Sequence, residues 1–518
     1  MFTCQQMHAA CPSSKPPALP MRVVQISADS DGMHCKLHLS SENECHEYLA
    51  LSHCWGDPNK IPKTERASVK RHQEEIPVHF LSRTFLDAMR VTAELGYRFI
   101  WIDALCILQD DHDDWEREAA KMAAIYGNAS LTIAAASSSD GSGGCLYDRR
   151  GGGVISLTQS EALGGGLVTH EALSHSLFSS LVTSTQQSSS NSPNPLVLRK
   201  WCYQERILSP RILYYSFDEM LWECRETIEC ECRNPGEIHT IGAKAGSSKV
   251  TFDSLLYSPH VPYGAASDRV DERALRAWRI LVEAYSKARL SYETDVLPAL
   301  AGVAERFASA SLGKYVAGLW TDPFLNLLSW RSKPSGTSAH TRPTAYCAPT
   351  WSWASIQGQI TFHEDFASKD FDAKVISVSR TLETEYAYGR ITEAVLVLNA
   401  RALFRRVTKC KPGFDWLVGE TALYQRVTFA GLKDTVVLNL DTEQDGVDLK
   451  GKTICLLCLY KRKAVSASDV DASFLLLVEA EDRSTYRRVG ILTDDGMGVH
   501  GGFCALIGGA PRRDFTIC

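Results

Sequence analysis

The chain has 518 residues, 44% of them apolar and 22% charged, with a net charge of −6 and a pI near 6.2. That length predicts on the order of two to four domains and a sizeable buried core, while the mild acidity offers no bulk attraction for nucleic acid or an anionic membrane. No run approaches the roughly 18 consecutive apolar residues of a membrane-spanning helix.

Residues 1–22 open with "MFTCQQMHAACPSSKPPALP". They lack a basic region followed by an apolar stretch, so no secretory signal is expected, and their Pro, Ser and Lys content predicts a disordered leader. Seventeen cysteines, odd in number and scattered, then read as reduced thiols in a cytoplasmic protein, several of them core residues.

From Tyr48 to about Phe217 strand and helix patterns alternate. "YLALSHCWGDP" starts as a short buried strand and stops at a hydroxyl, an imidazole, a thiol, an indole and a carboxylate. "LSRTFLDAMRVTAELG" carries Leu81, Phe85, Ala88, Thr92 and Leu95 at helical spacing, with Ser82 as N-cap and Gly96 as stop. "RFIWIDALCIL" reads as one continuous central strand. "DDWEREAAKMAAIYG" predicts a helix with Asp113 and Glu116 as a capping box, Trp115, Ala119, Met122 and Tyr126 on one face, and Gly127 at its end. "SLTIAAA" is a further strand and "RILYYSF" a later one, and "LYYSFDEMLWECR" reads as a strand leading into a cysteine-containing loop. Strands separated by helices of this length imply crossovers and a parallel sheet covered on both faces.

The remaining chain divides by composition. Residues 137–194 contain "SSSDGSGG", "GGG" and "STQQSSSNSPNP" and read as a flexible insertion. "DERALRAWRILVEAYSKARL" is amphipathic, with Leu275, Trp278, Val282 and Tyr285 on one face, and "LPALAGVAERFASASLG" follows as a second helix. From about Ala345 short strands dominate, among them "KVISVSRTL", "AVLVLNARALF", "TICLLCLYK", "SFLLLVEA" and "RRVGIL". The predicted layout is an α/β domain over 23–240, a helical segment over 260–340 and a β-rich region over 341–518.

Ligands of parallel open sheets bind beyond the carboxyl ends of the strands. Ser52, His53, Cys54, Trp55, Gly56 and Asp57 lie at the end of the first strand, and Asp103 and Cys106 at the end of the second. A ligand cleft is one reading; the other is that Trp55 and Cys54 pack an edge and Asp57 caps a helix. In "RKWCYQERILSPRI", Glu205 sits among apolar residues at helical spacing (Trp201, Leu208), so it is either a partly buried acid with a raised pKa or a surface partner of Arg199 or Arg206. "CRETIECECRNPGEIH" offers Cys224, Cys230, Cys232 and His239 as C-x5-C-x-C-x6-H. That spacing does not match paired zinc knuckles, and no metal is expected there. No G-x-G-x-x-G follows the first strand, which argues against hydride chemistry on a Rossmann fold.

Together, "YLALSHCWGD", "RTFLDAMRVTAELGYRFIWIDALCILQDDHDDWEREAAKMAAIYGNASLTIAAA" and "RKWCYQERILSPRILYY" resemble, in order and spacing, the fungal heterokaryon-incompatibility (HET) domain. "YSKARLSYETDVLPALAGVAERF", "YVAGLW", "LLSWR" and "APTWSWAS" are similar to the region that accompanies it in many fungal proteins. The sequence departs from the usual pattern at Lys200, Cys202 and the long insertion. The resemblance implies a role in nonself recognition and programmed cell death. The HET domain is itself similar to TIR domains, so a TIR- or flavodoxin-like parallel sheet flanked by helices is implied. "ALSHCWGD" is similar to the first TIR strand and its loop, and "WCYQERIL" to the TIR stretch W-C-x-x-E-L, whose Glu is catalytic in TIR enzymes that cleave NAD. Carried over, Glu205 is the catalytic residue, helped by Asp103. Ser52, Trp55 and Asp57 then lie over the nucleotide, backbone amides of the Gly56 loop meet the diphosphate, and Trp55 or Trp201 stacks on the base. NAD is then a substrate, and no cofactor is required. Self-association through the domain and a partner signalling protein are also implied. The competing readings are a non-enzymatic module that oligomerises, and a small-molecule enzyme using Cys54 with His53 or Asp103. Adjacent His53 and Cys54 point to opposite faces in strand geometry, which disfavours the last.

Overall fold

Between Arg22 and Cys230 apolar strands and amphipathic helices alternate, and in the computed structural model of the chain they build one eight-stranded sheet. The structure describes residues 2–11, 15–30, 32–147, 193–231, 271–334, 339–362, 371–415, 419–430, 435–447, 449–461, 472–493 and 506–518, with short pieces at 154–157, 167–170, 177, 181, 249 and 252–253. Contacts divide the chain into two units, Met1–Val261 and Pro262–Cys518. The helical and β-rich regions that composition separated therefore share one unit.

The elements of the first unit include α1 (Phe2–Met7), β1 (Arg22–Asp29), β2 (Gly32–Leu39), β3 (Leu49–Ser52), α2 (Arg83–Glu94), β4 (Phe99–Trp101), α3 (Asp103–Cys106), α4 (His112–Asn128), β5 (Leu131–Ala135), α5 (Lys200–Leu208), β6 (Arg211–Tyr215), β7 (Met220–Cys224) and β8 (Ile228–Cys230). Their order across the sheet is β8-β7-β6-β5-β3-β4-β1-β2. The central four pair in parallel, Leu49–Ser52 lying between Ile100–Trp101 on one side and Leu131–Ala134 on the other. Every residue of β3, β4 and β5 is buried, as expected for strands covered on both faces.

The edges differ from the expected all-parallel sheet. β1 pairs antiparallel with β4 and β2, and β7 with β6 and β8. "LYYSFDEMLWECR" is not one strand but the β6–β7 hairpin, closed at Ser216, whose amide donates to the Glu219 carbonyl at 3.1 Å. A connection that short permits only antiparallel pairing.

Local chemistry explains the other boundaries. The Ser82 hydroxyl accepts from the Phe85 amide and starts α2, and Gly96 follows the helix at φ +81°. "RFIWIDALCIL" is a strand only as far as Trp101. There the Asp103 carboxylate accepts from the Ala104 amide at 2.7 Å and turns the chain into α3. The N-cap of α4 is Asp111 rather than Asp113, its side chain accepting from the Asp114 amide, and the helix runs through Gly127 to Asn128. Asp114 in turn meets the buried Arg22 of β1, which also donates to the Cys106 carbonyl at 2.6 Å. Residues 137–147 of the expected insertion are ordered against α2, with the Cys145 amide donating to Asp87 at 3.0 Å. Most of 148–192 lies outside the described residues.

In the second unit the helix Glu272–Ser286 buries the four residues its pattern selected, with Trp278 edge-on to Trp320 at 5.6 Å. Asp271 caps it, and Pro298–Arg306 forms the next helix. The β-rich region is an eight-stranded sheet around one long strand, Ile391–Asp415. From that strand the pairing runs through Gly419–Phe429, Thr435–Leu440, Tyr486–Thr493, Ala472–Glu479 and Thr453–Lys461 and returns to Ala402–Arg406, so six strands close on themselves. Val427, Leu438, Leu456 and Phe474 are among the residues of the core cluster this ring supplies. Lys374–Leu382 and Arg512–Ile517 pair with the first half of the long strand.

Candidate functional site

In chain order the parallel strands lie as second, first, third and fourth, because the chain leaves β3 for one neighbour and later returns to its other side at β5. At such a switch point the connections diverge and leave a crevice at the carboxyl ends. Ser52–Asp57 leaves β3 there, residues 136–144 leave β5, and α5 brings in Glu205.

These groups converge. The Ser52 hydroxyl donates to Glu205 Oε2. Trp55 Nε1 donates to Asp103 Oδ2 at 2.7 Å, and His53 Nδ1 lies 3.8 Å from Asp103 Oδ1. Arg199 donates to the His53 carbonyl at 3.0 Å. Exposure grades inward across the group: Gly56 and Asp57 are exposed and Trp55 half-buried. The Asp103 side chain is 22% exposed and Glu205 only 5%. Trp201 is half-buried on α5, edge-on to Trp115 at 6.3 Å. Asp57 turns away from this group, accepting from the Asn59 amide at 3.0 Å and pairing with Lys60 at 3.6 Å.

Electrostatics separates the residues further. Burial raises the Glu205 carboxyl to about 7, against the hydrogen bond from Ser52, the charge of Arg199 and the neighbouring Tyr126 hydroxyl, and with the nearby Asp103 charge adding to the rise. Burial likewise pushes the Cys54 thiol to about 11. It lowers His53, so its imidazole is neutral near pH 7, and His53 Nε2 has no hydrogen-bond partner among the described residues. His53 faces Phe85 of α2 at 5.1 Å, edge to face, while Cys54 packs with Cys202 and Ala134. The two side chains, just beyond the end of β3, thus serve different neighbours.

Of the partners read for Glu205, Arg206 instead binds Glu223 at 2.7 Å, and Arg199 acts through its charge. Tyr126, read only as part of a helix face, donates to the Leu51 carbonyl at 3.0 Å and neighbours the acid. Asp140 was also missed: a Cβ on Gly56, where φ is +67°, would stand 2.3 Å from Asp140 Cβ. No pattern within "SSSDGSGG" marks that role; it arises because the loops after β3 and β5 meet.

In the C-x5-C-x-C-x6-H run the two described cysteines, Cys224 and Cys230, stand apart. Cys224 pairs with Arg211 at one end of β7, whereas Cys230 stands opposite Leu221, about 10 Å away along the strand at ordinary rise. Cys232 and His239 lie outside the described residues. Cys224 instead meets three groups from the segment expected to be disordered, Cys4, His8 and Cys11.

A mostly parallel centre with antiparallel edges, flanked by helices, defines a mixed α/β domain whose buried acid and exposed loop meet at the carboxyl ends of the parallel strands. Residues 48–205 match the family model described as heterokaryon incompatibility protein (HET). Over 114 residues the chain is 28% identical to "Heterokaryon incompatibility protein 6, OR allele" of Neurospora crassa, covering 21% of this chain and 17% of that protein. The chain carries a HET domain, and the similarity spans only a small part of that relative. No solved structure matches it. Among the described residues no helix is long and apolar enough to cross a membrane.

Proposed function

We propose that this HET domain acts in fungal nonself recognition leading to cell death, and that its crevice hydrolyses the nicotinamide–ribose bond of NAD. The observation that carries the reading is Glu205, a buried carboxyl held near neutrality and hydrogen-bonded by Ser52 at the tip of the first parallel strand. Cleavage passes through an oxocarbenium-like state as nicotinamide departs and water adds, and a carboxylate beside the ribose stabilises the developing charge. Asp103, fixed by Trp55, adds negative potential from the other strand end. The strand order of the parallel core matches the first four strands of flavodoxin-like sheets, whose ligand sits at this switch point. In this reading the exposed Gly56 turn offers amides to the diphosphate and Trp55 or Trp201 meets the base.

Cys54 fits a nucleophile poorly, because a thiol raised to about 11 supplies little thiolate at neutral pH. Incubating the purified chain with NAD and following nicotinamide release tests the proposal: turnover is expected, and Glu205→Gln is expected to abolish it. Turnover at background in a folded sample, the same for both proteins, would refute it. Toxicity in cells that survives Glu205→Gln but is lost on surface substitutions would assign a non-enzymatic assembling module instead.

A further inference from the structure

At the opposite end of the sheet from the crevice, Cys4, His8, Cys11 and Cys224 place one ligand atom each within 4.8 Å of one another. Cys224 pairs with Arg211, the first residue of β6, which locates the cluster at the amino end of the parallel core. Cys4, His8 and Cys11 recur at i, i+4 and i+7, the spacing of one helix face. The His8 amide donates to the Cys4 carbonyl at 3.2 Å and the Cys11 amide to the His8 carbonyl at 3.0 Å, so the turns after α1 hold that face together.

We infer that these four side chains form a structural zinc site that fastens the N-terminal segment to the β6–β7 hairpin. Three thiolates and one imidazole are a standard tetrahedral donor set. Zn–S bonds of about 2.3 Å put tetrahedral ligand atoms about 3.8 Å apart, so the four need only a small contraction. The three cysteines are 4%, 1% and 1% exposed, and His8 Nδ1 already lies 3.3 Å from Cys224 Sγ. The surrounding bonds are those of an outer shell that orients ligands. The Thr227 amide points at Cys224 Sγ at 3.4 Å, Arg211 donates to the Cys11 carbonyl at 2.7 Å, and Arg225 donates to the Ala10 carbonyl at 3.1 Å. Glu226 accepts from the Ala10 amide at 2.6 Å. Arg211 and Arg225 also offset the negative charge that three thiolates leave on a zinc ion. Coordination would release the thiol protons to solvent and involves no redox change.

The test is metal analysis of the full chain, purified without chelator from zinc-supplemented cells. One zinc per chain is expected. Cys224→Ser is expected to lose at least about tenfold in occupancy, whereas Cys35→Ser, a buried cysteine outside the cluster, retains it. Should Cys224→Ser fail to fold, the half-buried His8→Ala supplies the second arm, through faster zinc release to a chromogenic chelator. Cobalt loaded in place of zinc is expected to show thiolate charge-transfer absorption that His8→Ala shifts. Wild-type chain with no bound zinc, its cysteines free or joined in a disulfide by intact mass, overturns the site. So does zinc retained unchanged by both variants.

Discussion

The proton on Glu205 connects the crevice to pH in two opposite ways. Its folded pKa of about 7 stands above its ordinary value of 4.5 because burial disfavours the charge. The folded state therefore binds that proton more tightly than the unfolded chain. The sign follows: its contribution to stability is fully present below about 4.5, falls as pH rises between 4.5 and 7, and is gone above 7. Glutamine keeps the shape and stays neutral. Glu205→Gln should therefore raise the melting temperature at pH 8 by several degrees while leaving it nearly unchanged at pH 4.5, as scanning calorimetry can check. Catalysis by a carboxylate needs the ionised form, so nicotinamide release by the native chain should climb through pH 7 to a plateau. A residue kept only for structure would give the first effect without the second. In the crevice, Ser52 and Asp103 were legible in the sequence because they stand where apolar strand patterns break off, and Glu205 because it is an acid among apolar residues at helical spacing. Tyr126 and Asp140 were not. The tyrosine fits its helix face as an ordinary core residue, and Asp140 matters through a loop contact that spacing does not encode.

At the level of elements, the Gly56 turn sets how the first strand hands over to the crevice. An alanine there takes a positive φ of 67° and must displace Asp140. Gly96 also has a positive φ, 81°, but open space around it. Gly96→Ala should therefore cost about 1 kcal/mol of stability and leave function intact. Gly56→Ala should cut NAD turnover about a hundredfold through misplacement of the loop, with an unchanged circular dichroism spectrum. Steady-state kinetics beside urea titrations would separate the two. Helices that carried their own caps, such as Ser82 before α2, were readable residue by residue. The strand at "RFIWIDALCIL" was overextended because hydrophobicity continues past Trp101, where Asp103 has already begun a helical turn. The antiparallel edges escaped the pattern because strand direction at an edge is set by the connections, through hairpins and the long-range β1–β4 pairing, not by composition. α1 was hidden by its Pro- and Ser-rich surroundings. The signal that could have exposed it, two cysteines and a histidine on one helical face, acquires meaning only with a partner 216 positions away.

Taken whole, the second unit is held by a buried charge as well as by its core. Arg488 is fully buried, paired with an equally buried Asp441 at 3.1 Å. It donates to the carbonyls of Leu328 and Trp330 at 2.7 and 2.6 Å, and its guanidinium carbon lies 3.6 Å from the centre of the Trp330 ring. Burial pushes the Asp441 carboxyl up and Arg488 pulls it down. Arg488→Met leaves that buried carboxylate with only the more distant Arg342, at 3.7 Å, and should cost about 3 kcal/mol, seen as lost hydrogen-exchange protection in 435–440 and 486–493. Asp441→Leu added to it should recover much of the loss. The six-strand closure carries a different consequence, one of timing. Asn399 waits 115 positions for Asp514, and the stretch just after it waits for Thr453–Leu457. During synthesis at about 5–20 residues per second, the middle of the long strand is thus an open template for several seconds. A nascent chain in that interval is vulnerable to pairing with its neighbours, and slowed elongation between residues 415 and 453 should increase inclusion-body formation long before it affects the finished molecule.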